Sequence, residues 1–161
     1  MHLKAIVEED FTNYKNPAML LGTVSCTGKC CIEAGIPRGV CINNDLQDVN
    51  TCIIEDDSIC SAYLGNPITE AIIFGGLEPF DQFDEVLNFI HTLRKCYDCP
   101  DYVVIYTGYY PNEIEDKLEQ LEQFPNIIVK FGRFIPNDKP VFDEVLGVEL
   151  ASSNQYAVKI S

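Results

Sequence analysis

Basic side chains are scarce in this sequence: its 161 residues include 11 lysines and arginines against 25 aspartates and glutamates, a formal charge of -14. A field of this sign repels phosphate backbones and anionic membrane surfaces. No apolar run approaches the roughly 18 residues that a membrane span needs, and the apolar stretch near Met1 ends at Glu8, too early for a signal peptide. These absences argue against nucleic acid and membranes as partners and predict a cytoplasmic protein.

Histidine is also scarce, with only His2 near the N-terminus and His91 at the end of a predicted helix face. Neither position is typical of a general base, and no combination of serine, histidine and aspartate stands out. Hydrolysis by a nucleophilic triad is therefore not expected.

Cysteine, in contrast, is frequent. A chain of 161 residues can bury a single core, so we expect one domain over residues 1–161. In a reducing compartment its eight cysteines are not expected to form disulfides. Metal binding or simple burial must account for them.

Short apolar runs alternate with amphipathic segments along the chain. A helix is expected after Asn50 over residues 51–64, a second after Asp81 with a buried face from Phe83 to Leu93, and a third from Pro111. Strands are expected at residues 2–7, 18–24, 70–74, 102–106, 126–131 and 145–150.

This alternation predicts an α/β fold of right-handed βαβ units. Four to six strands are too few to close an eightfold barrel, so we expect a partial (βα) barrel, an open, curved and mostly parallel sheet with flanking helices. In such folds the loops after the strand ends carry the site. Here those loops are residues 26–44, 75–80, 107–110 and the segment from 132 onward.

The first of these loops contains Cys26, Cys30, Cys31 and Cys41. Adjacent cysteines in an extended backbone point to opposite sides, so one iron-sulfur cluster is not expected to bind both Cys30 and Cys31. Three thiolates would leave an iron open for catalysis, whereas four would favour electron transfer or a structural role. A zinc site and buried free cysteines are the alternatives.

The other four cysteines carry weaker signals. Cys96 and Cys99 form one CxxC that could seat zinc or a redox pair, but without a second pair we favour unligated thiols. Cys52 and Cys60 lie within the helix predicted at residues 51–64 and are interpreted as packing residues.

Five short motifs follow one another along the chain. The cysteine cluster comes after the first buried strand, GGLEP (75–79) comes after the next, and then come YTGY (106–109), FGRF (131–134) and ASSNQ (151–155). In this order they resemble the motifs of radical S-adenosylmethionine proteins, and more narrowly those of the small activating proteins of anaerobic ribonucleotide reductase. The resemblance covers nearly the whole chain.

The resemblance implies a 4Fe-4S cluster and S-adenosylmethionine as cofactors, with no catalytic side chain beyond them. One electron would cleave S-adenosylmethionine to methionine and a 5'-deoxyadenosyl radical, so the cofactors carry the chemistry and the protein positions them. The implied cluster ligands are Cys26, Cys30 and Cys41, with Cys31 as an alternative to Cys30. The implied cofactor-binding residues are Asn43, Gly75, Gly76, Glu78, Thr107, Gly108, Ser152, Ser153 and Asn154.

The chain departs from the family pattern at several positions. The family spacing is CxxxCxxC, but position 33 is Glu33 and the third cysteine comes only at Cys41; GGLEP carries an extra Leu77. The family tends to have an aspartate-glycine pair where this chain has Phe131-Gly132, and an arginine-glycine pair where it has Leu150-Ala151. The ligand assignment between Cys30 and Cys31, and the reductase partner, are therefore left open.

The resemblance implies a large glycyl-radical enzyme as the partner and an electron donor such as flavodoxin or ferredoxin. The same radical chemistry on another target is one alternative. A non-catalytic iron-sulfur protein, with Cys31 as a fourth ligand, is another.

Overall fold

The computed structural model describes all 161 residues. Its helices are α1 Lys29–Ala34, α2 Asp56–Gly65, α3 Phe83–Lys95 and α4 Glu115–Leu121. Short 3-10 helices cover Arg38–Val40, Asn44–Gln47, Pro79–Gln82 and Pro111–Glu113. Its strands are β1 His2–Leu3, β2 Ala5–Asp10, β3 Ala18–Thr23, β4 Cys52–Ile53, β5 Ala71–Gly76, β6 Tyr102–Tyr106, β7 Ile127–Phe131, β8 Val141–Asp143, β9 Val148–Leu150 and β10 Tyr156–Lys159.

Six strands form the central sheet, in the order β10-β7-β6-β5-β3-β2. The four central strands are parallel, while β2 and β10 pair antiparallel at the two edges. The predicted mixed α/β fold with a mostly parallel sheet and flanking helices is therefore confirmed. Because the central strands are parallel, their carboxyl ends share one edge of the sheet.

The two faces of the sheet are covered differently. Alternate side chains such as Phe74 and Val129 pack with α2, α3 and α4 in the larger core, where the Phe74 and Phe89 rings meet edge to face at 5.5 Å. Residues of opposite orientation, such as Ile73 and Val104, pack with Tyr14 and the β8-β9 hairpin. The face opposite the helices thus keeps room beside the hairpin.

Two sequence predictions about regular structure were wrong. The helix predicted at residues 51–64 begins only at Asp56, because Cys52–Ile53 pairs with β1 as a strand. Asp81 does not cap α3, since a 3-10 helix precedes it and the Asp81 carboxylate accepts hydrogen bonds from the Thr27 N–H and the Tyr109 hydroxyl.

The cysteine loop also differs from the prediction, because it contains the short helix α1. Gly28 and Gly35 adopt left-handed conformations at its two ends (φ 73° and 64°), a common role of glycine at helix boundaries. Cys30 and Cys31 are therefore helical neighbours rather than extended ones, and their side chains diverge by roughly 100°. The opposite orientation expected for an extended backbone is therefore absent.

No helix in the structure has both the length and the apolar character needed to cross a bilayer.

Candidate functional site

A cavity of about 500 Å³ lies on the sheet face opposite the helices, within the size range of ligand pockets. Its walls come from the cysteine loop, the carboxyl ends of β5, β6 and β7, and strand β9. The predicted site residues among its lining are Cys26, Cys30, Cys31, Cys41, Asn43, Gly75, Gly76, Glu78, Thr107 and Gly108.

All four loop cysteines line this cavity. Cys30 packs against Gly108 so closely that a Cβ atom added to Gly108 would lie 2.7 Å from the Cys30 sulfur. Cys31 is only 4% exposed, and the pKa of its thiol is raised by burial and then by neighbouring Cys41. Burial likewise raises the pKa of the Cys26 and Cys30 thiols.

The cavity offers suitable ligands for iron or zinc, because both metals prefer soft thiolates. However, no three histidine, cysteine, aspartate or glutamate side chains are arranged as a metal-binding group in this structure. The donor chemistry therefore fits a thiolate-bound metal, and binding requires the thiols to move toward a common centre. The raised pKa values of Cys26, Cys30 and Cys31 favour the protonated thiols until a metal displaces the protons.

Glu78 is the buried carboxylate of the site, at 7% exposure. One of its oxygens accepts hydrogen bonds from the Thr107 hydroxyl (2.7 Å) and the Phe80 N–H (3.1 Å), and the other accepts one from the Gly108 N–H (2.8 Å). Burial raises its pKa to about 7 against the effect of these donors. Since each oxygen has two lone pairs, one acceptor position stays free.

The glycines after β5 are joined to the cysteine loop. The Asn43 side chain donates a hydrogen bond to the Gly76 carbonyl at 2.5 Å, and Gly76 has a φ of 81° with the Leu46 side chain directly beside it. A side chain at Gly76 would be strained and would displace the loop. Asn43 and Gly76, both named by the resemblance as cofactor-binding residues, are thus in direct contact.

Lys130 is a lining residue that sequence reasoning missed. It is 6% exposed, donates one hydrogen bond to the Gly132 carbonyl at 3.1 Å and takes part in no ion pair. Burial lowers its pKa to about 8, although Cys30 and Glu78 counteract the shift. The available signal was a lone lysine inside the apolar strand IIVKF, because a buried charge usually needs a partner.

Four charged side chains, called here the rim network, connect α1 to the opposite side of the cavity. Glu113 accepts two hydrogen bonds from Arg133, at 2.7 and 2.9 Å, and another from Lys29. A Glu33 oxygen lies 2.6 Å from Arg133 Nε, but Nε has no hydrogen-bond partner, so this contact is ionic with the oxygen off the N–H direction. The bidentate pair of Arg133 and Glu113 belongs to the stronger class of polar contacts.

Replacing Glu113 with glutamine should lower stability in a pH-dependent way. Arg133 and then Lys29 are the favourable partners that hold the pKa of Glu113 at about 2, below its usual 4.5. A lowered folded pKa stabilises the fold above pH 4.5, and this contribution disappears as the pH falls toward 2. The Glu113 side chain is 20% exposed, so solvent screens its ion pairs. We therefore expect the free energy of unfolding to fall by about 1 kcal/mol at pH 7.

Urea unfolding of the wild type and Glu113→Gln from pH 7 to pH 2 measures this effect. The two curves should converge at the acidic end. A constant difference between them would contradict the linkage.

The last predicted segment is Ser152 to Asn154, whose side chains bond to other parts of the chain. Ser152 is bonded to the Ile135 backbone, Ser153 to Asp138 and Asn154 to Tyr110 and the Arg133 carbonyl. None of these three residues lines the cavity, although the flanking Ala151 and Gln155 do. Their contacts support the wall, and a direct contact with a ligand stays a prediction.

The remaining cysteines and histidines lie away from the cavity lining. Cys60 and Cys99 are buried in the larger core, while Cys96 and Cys52 are exposed and all four are free thiols. His2 contacts Glu85 at 3.0 Å, and the His91 ring packs against Phe124.

Comparison with protein-family models, curated proteins and solved structures finds no match for this chain. The site must therefore be interpreted from its own geometry.

Proposed function

We propose that this protein binds a 4Fe-4S cluster and S-adenosylmethionine and cleaves the latter reductively to activate a glycyl-radical enzyme. The observation that carries the proposal is that one cavity is lined by the four loop cysteines, the glycines of GGLEP and Thr107-Gly108. These segments are far apart in the sequence, and together they would bind both the cluster and S-adenosylmethionine. The sheet face opposite α2, α3 and α4 would be the concave side of a partial barrel.

Cys26, Cys30 and Cys41 are the proposed cluster ligands, with Cys31 as the alternative. When bound, the cluster supplies the electron that cleaves S-adenosylmethionine to methionine and a 5'-deoxyadenosyl radical. The cysteine loop and β9, which form two walls of the cavity, would limit solvent access and side reactions at that stage.

The side chains of the cavity match the polar groups of a bound amino acid. The free acceptor position on Glu78 suits the methionine ammonium, and the backbone of Gly75 and Gly76 allows close approach. Lys130 supplies a cation for the carboxylate, because it lines the same cavity without an anionic partner. Together they would orient the sulfonium toward the cysteine loop.

Anaerobic reconstitution with iron and sulfide, followed by electron paramagnetic resonance of the reduced protein, tests this function. We expect a 4Fe-4S signal that changes when S-adenosylmethionine is added, and methionine release under reducing conditions. A cluster whose signal is the same with and without S-adenosylmethionine would refute the catalytic proposal.

A second candidate is a non-catalytic iron-sulfur protein with four thiolate ligands. It is favoured by the position of Cys31, which lines the cavity beside Cys41. Such a protein would bind iron equally well but would leave S-adenosylmethionine intact.

Replacing Gly108 with alanine should weaken iron binding without unfolding the protein. The added methyl group would meet the Cys30 sulfur at 2.7 Å, and a thiol can rotate away at a cost below about 1 kcal/mol. The displaced thiol would then be poorly placed as a ligand. Iron content after reconstitution, together with the urea midpoint, measures both effects.

Gly65→Ala is the matched control, because nothing lies within 4 Å of the added Cβ. Iron retention by Gly108→Ala at the wild-type level would contradict a ligand role for Cys30.

A further inference from the structure

Arg133 occupies the centre of the rim network, at 5% exposure. Its guanidinium group binds Glu113 in a bidentate manner, lies 2.6 Å from Glu33 through Nε and donates to the Gly108 carbonyl at 3.2 Å. It also stacks over the Tyr110 ring at 4.9 Å. One side chain after β7 therefore contacts helix α1 and the segment after β6.

These contacts enclose Cys30 from two sides. Glu33 and Lys29 flank it on α1, and both belong to the rim network. Gly108, whose carbonyl Arg133 binds, is the surface on which the Cys30 sulfur rests. The same guanidinium group thus contacts both α1, through Glu33, and Gly108.

The position of Glu33 on α1 explains why the contact between Glu33 and Arg133 affects Cys30 and not Cys31. Residues three apart on a helix share a face, so Cys30 and Glu33 point to the same side of α1, whereas Cys31 is rotated by roughly 100°. Anchoring Glu33 at Arg133 therefore fixes the orientation of Cys30. The planar fork of arginine makes its bidentate contact with Glu113 directional.

We propose that Arg133 is a positioning residue: by binding Glu113 and Glu33 together, it docks α1 on the rim and holds the Cys30 thiol over Gly108, facing the cavity. The inference rests on the proposed function for the role of Cys30 as a ligand. The placement of the thiol itself can be measured without metal.

The experiment compares Arg133→Met and Arg133→Lys with the wild type in metal-free, reduced full-length protein. Iodoacetamide labelling is followed cysteine by cysteine by mass spectrometry. Labelling of a held thiol depends on local opening, so Arg133→Met should raise the Cys30 rate on the order of tenfold through the loss of several charged contacts. Arg133→Lys should recover part of this difference, because it keeps the charge and loses the fork.

Cys60 is the internal control, since it is fully buried on α2 and far from the rim network in sequence. Glu119→Gln is the matched surface control, because Glu119 takes part in none of the ion pairs. A parallel increase at Cys60 would mean general destabilisation and would overturn the inference, as would an unchanged Cys30 rate. If Arg133→Met does not fold, Glu33→Gln tests the same anchor with a smaller expected increase.

Reconstituted protein provides a second readout. Charges and hydrogen bonds near a thiolate ligand tune the electronic properties of the metal. Arg133→Met should therefore shift the electron paramagnetic resonance spectrum of the reduced protein, and Arg133→Lys should restore it in part. If the wild type binds no iron while Cys30 responds as expected, the proposed function fails and the positioning role stands. If iron binds and neither readout responds to Arg133→Met, the positioning role alone fails.

Discussion

Replacing Cys30 with alanine is expected to reduce the iron retained after anaerobic reconstitution to background, whereas Cys31→Ala is expected to retain most of it. The Cys30 sulfur rests on Gly108 beside Glu78, whose charge influences the pKa of its thiol. Cys31 is more deeply buried and is paired with Cys41 rather than with this wall. The two residues differ by one helical step, so the pair of variants is closely matched.

Iron and acid-labile sulfide per chain, measured together with the visible absorbance, give the result. Cys96→Ala is the control for a general effect of losing a thiol, because Cys96 is exposed and remote from the cavity lining. Loss of iron from both Cys30→Ala and Cys31→Ala would favour the non-catalytic protein with four thiolate ligands. Retention of iron by both variants would contradict the assignment of Cys30 or Cys31 as a cluster ligand.

Replacing Lys130 with methionine should change stability and binding in opposite directions. A buried cation without an anionic partner is costly, and the pKa lowered to about 8 reflects that cost. An apolar side chain of similar length should stabilise the metal-free protein by about 1 to 3 kcal/mol. In return, affinity for S-adenosylmethionine should fall on the order of 10- to 100-fold, since a charge-assisted hydrogen bond to the carboxylate is lost.

Urea unfolding of the metal-free protein and equilibrium binding of S-adenosylmethionine to the reconstituted protein test the two effects separately. Lys159→Met serves as the control, because Lys159 is an exposed lysine on the edge strand β10. A gain in stability with unchanged affinity would show that Lys130 does not meet the ligand. A loss of stability would contradict the interpretation of Lys130 as an unpaired buried charge.

The parts of the fold that the sequence predicted well are those with a repeated local signal. Continuous apolar runs such as Ala71–Gly76 and Tyr102–Tyr106 became central strands, and the regular spacing from Phe83 to Leu93 became the buried face of α3. Strands covered on both faces need nothing but apolar side chains, so local composition is sufficient.

The parts that were missed depend on contacts between distant residues. Helix α1 has only six residues and is defined by left-handed glycines at both ends, which sequence patterns associate with loops. The pairing of Cys52–Ile53 with β1 joins positions about fifty residues apart. The roles of Arg133 and Lys130 depend on the position of β7, which places both residues beside the cysteine loop.

The grouping of predicted site residues could be expected from topology, but their bonding could not. Parallel strands bring residues after β3, β5 and β6 to one edge, which placed the cysteine loop, Glu78 and Thr107 together as predicted. That Glu78 already accepts three hydrogen bonds from the chain itself follows from side-chain packing, which the sequence does not specify. The same holds for Ser152 to Asn154, whose side chains bond to Ile135, Asp138, Tyr110 and Arg133.

The long connection between β3 and β5 has a consequence for the order of assembly. These two strands are direct neighbours over six residue pairs, and none of the four loop cysteines contributes to strand pairing in the central sheet. The framework can thus be completed while the loop is still empty, unlike small zinc domains that fold only around their metal. Insertion of the proposed cluster would therefore act on a chain whose central sheet is already formed.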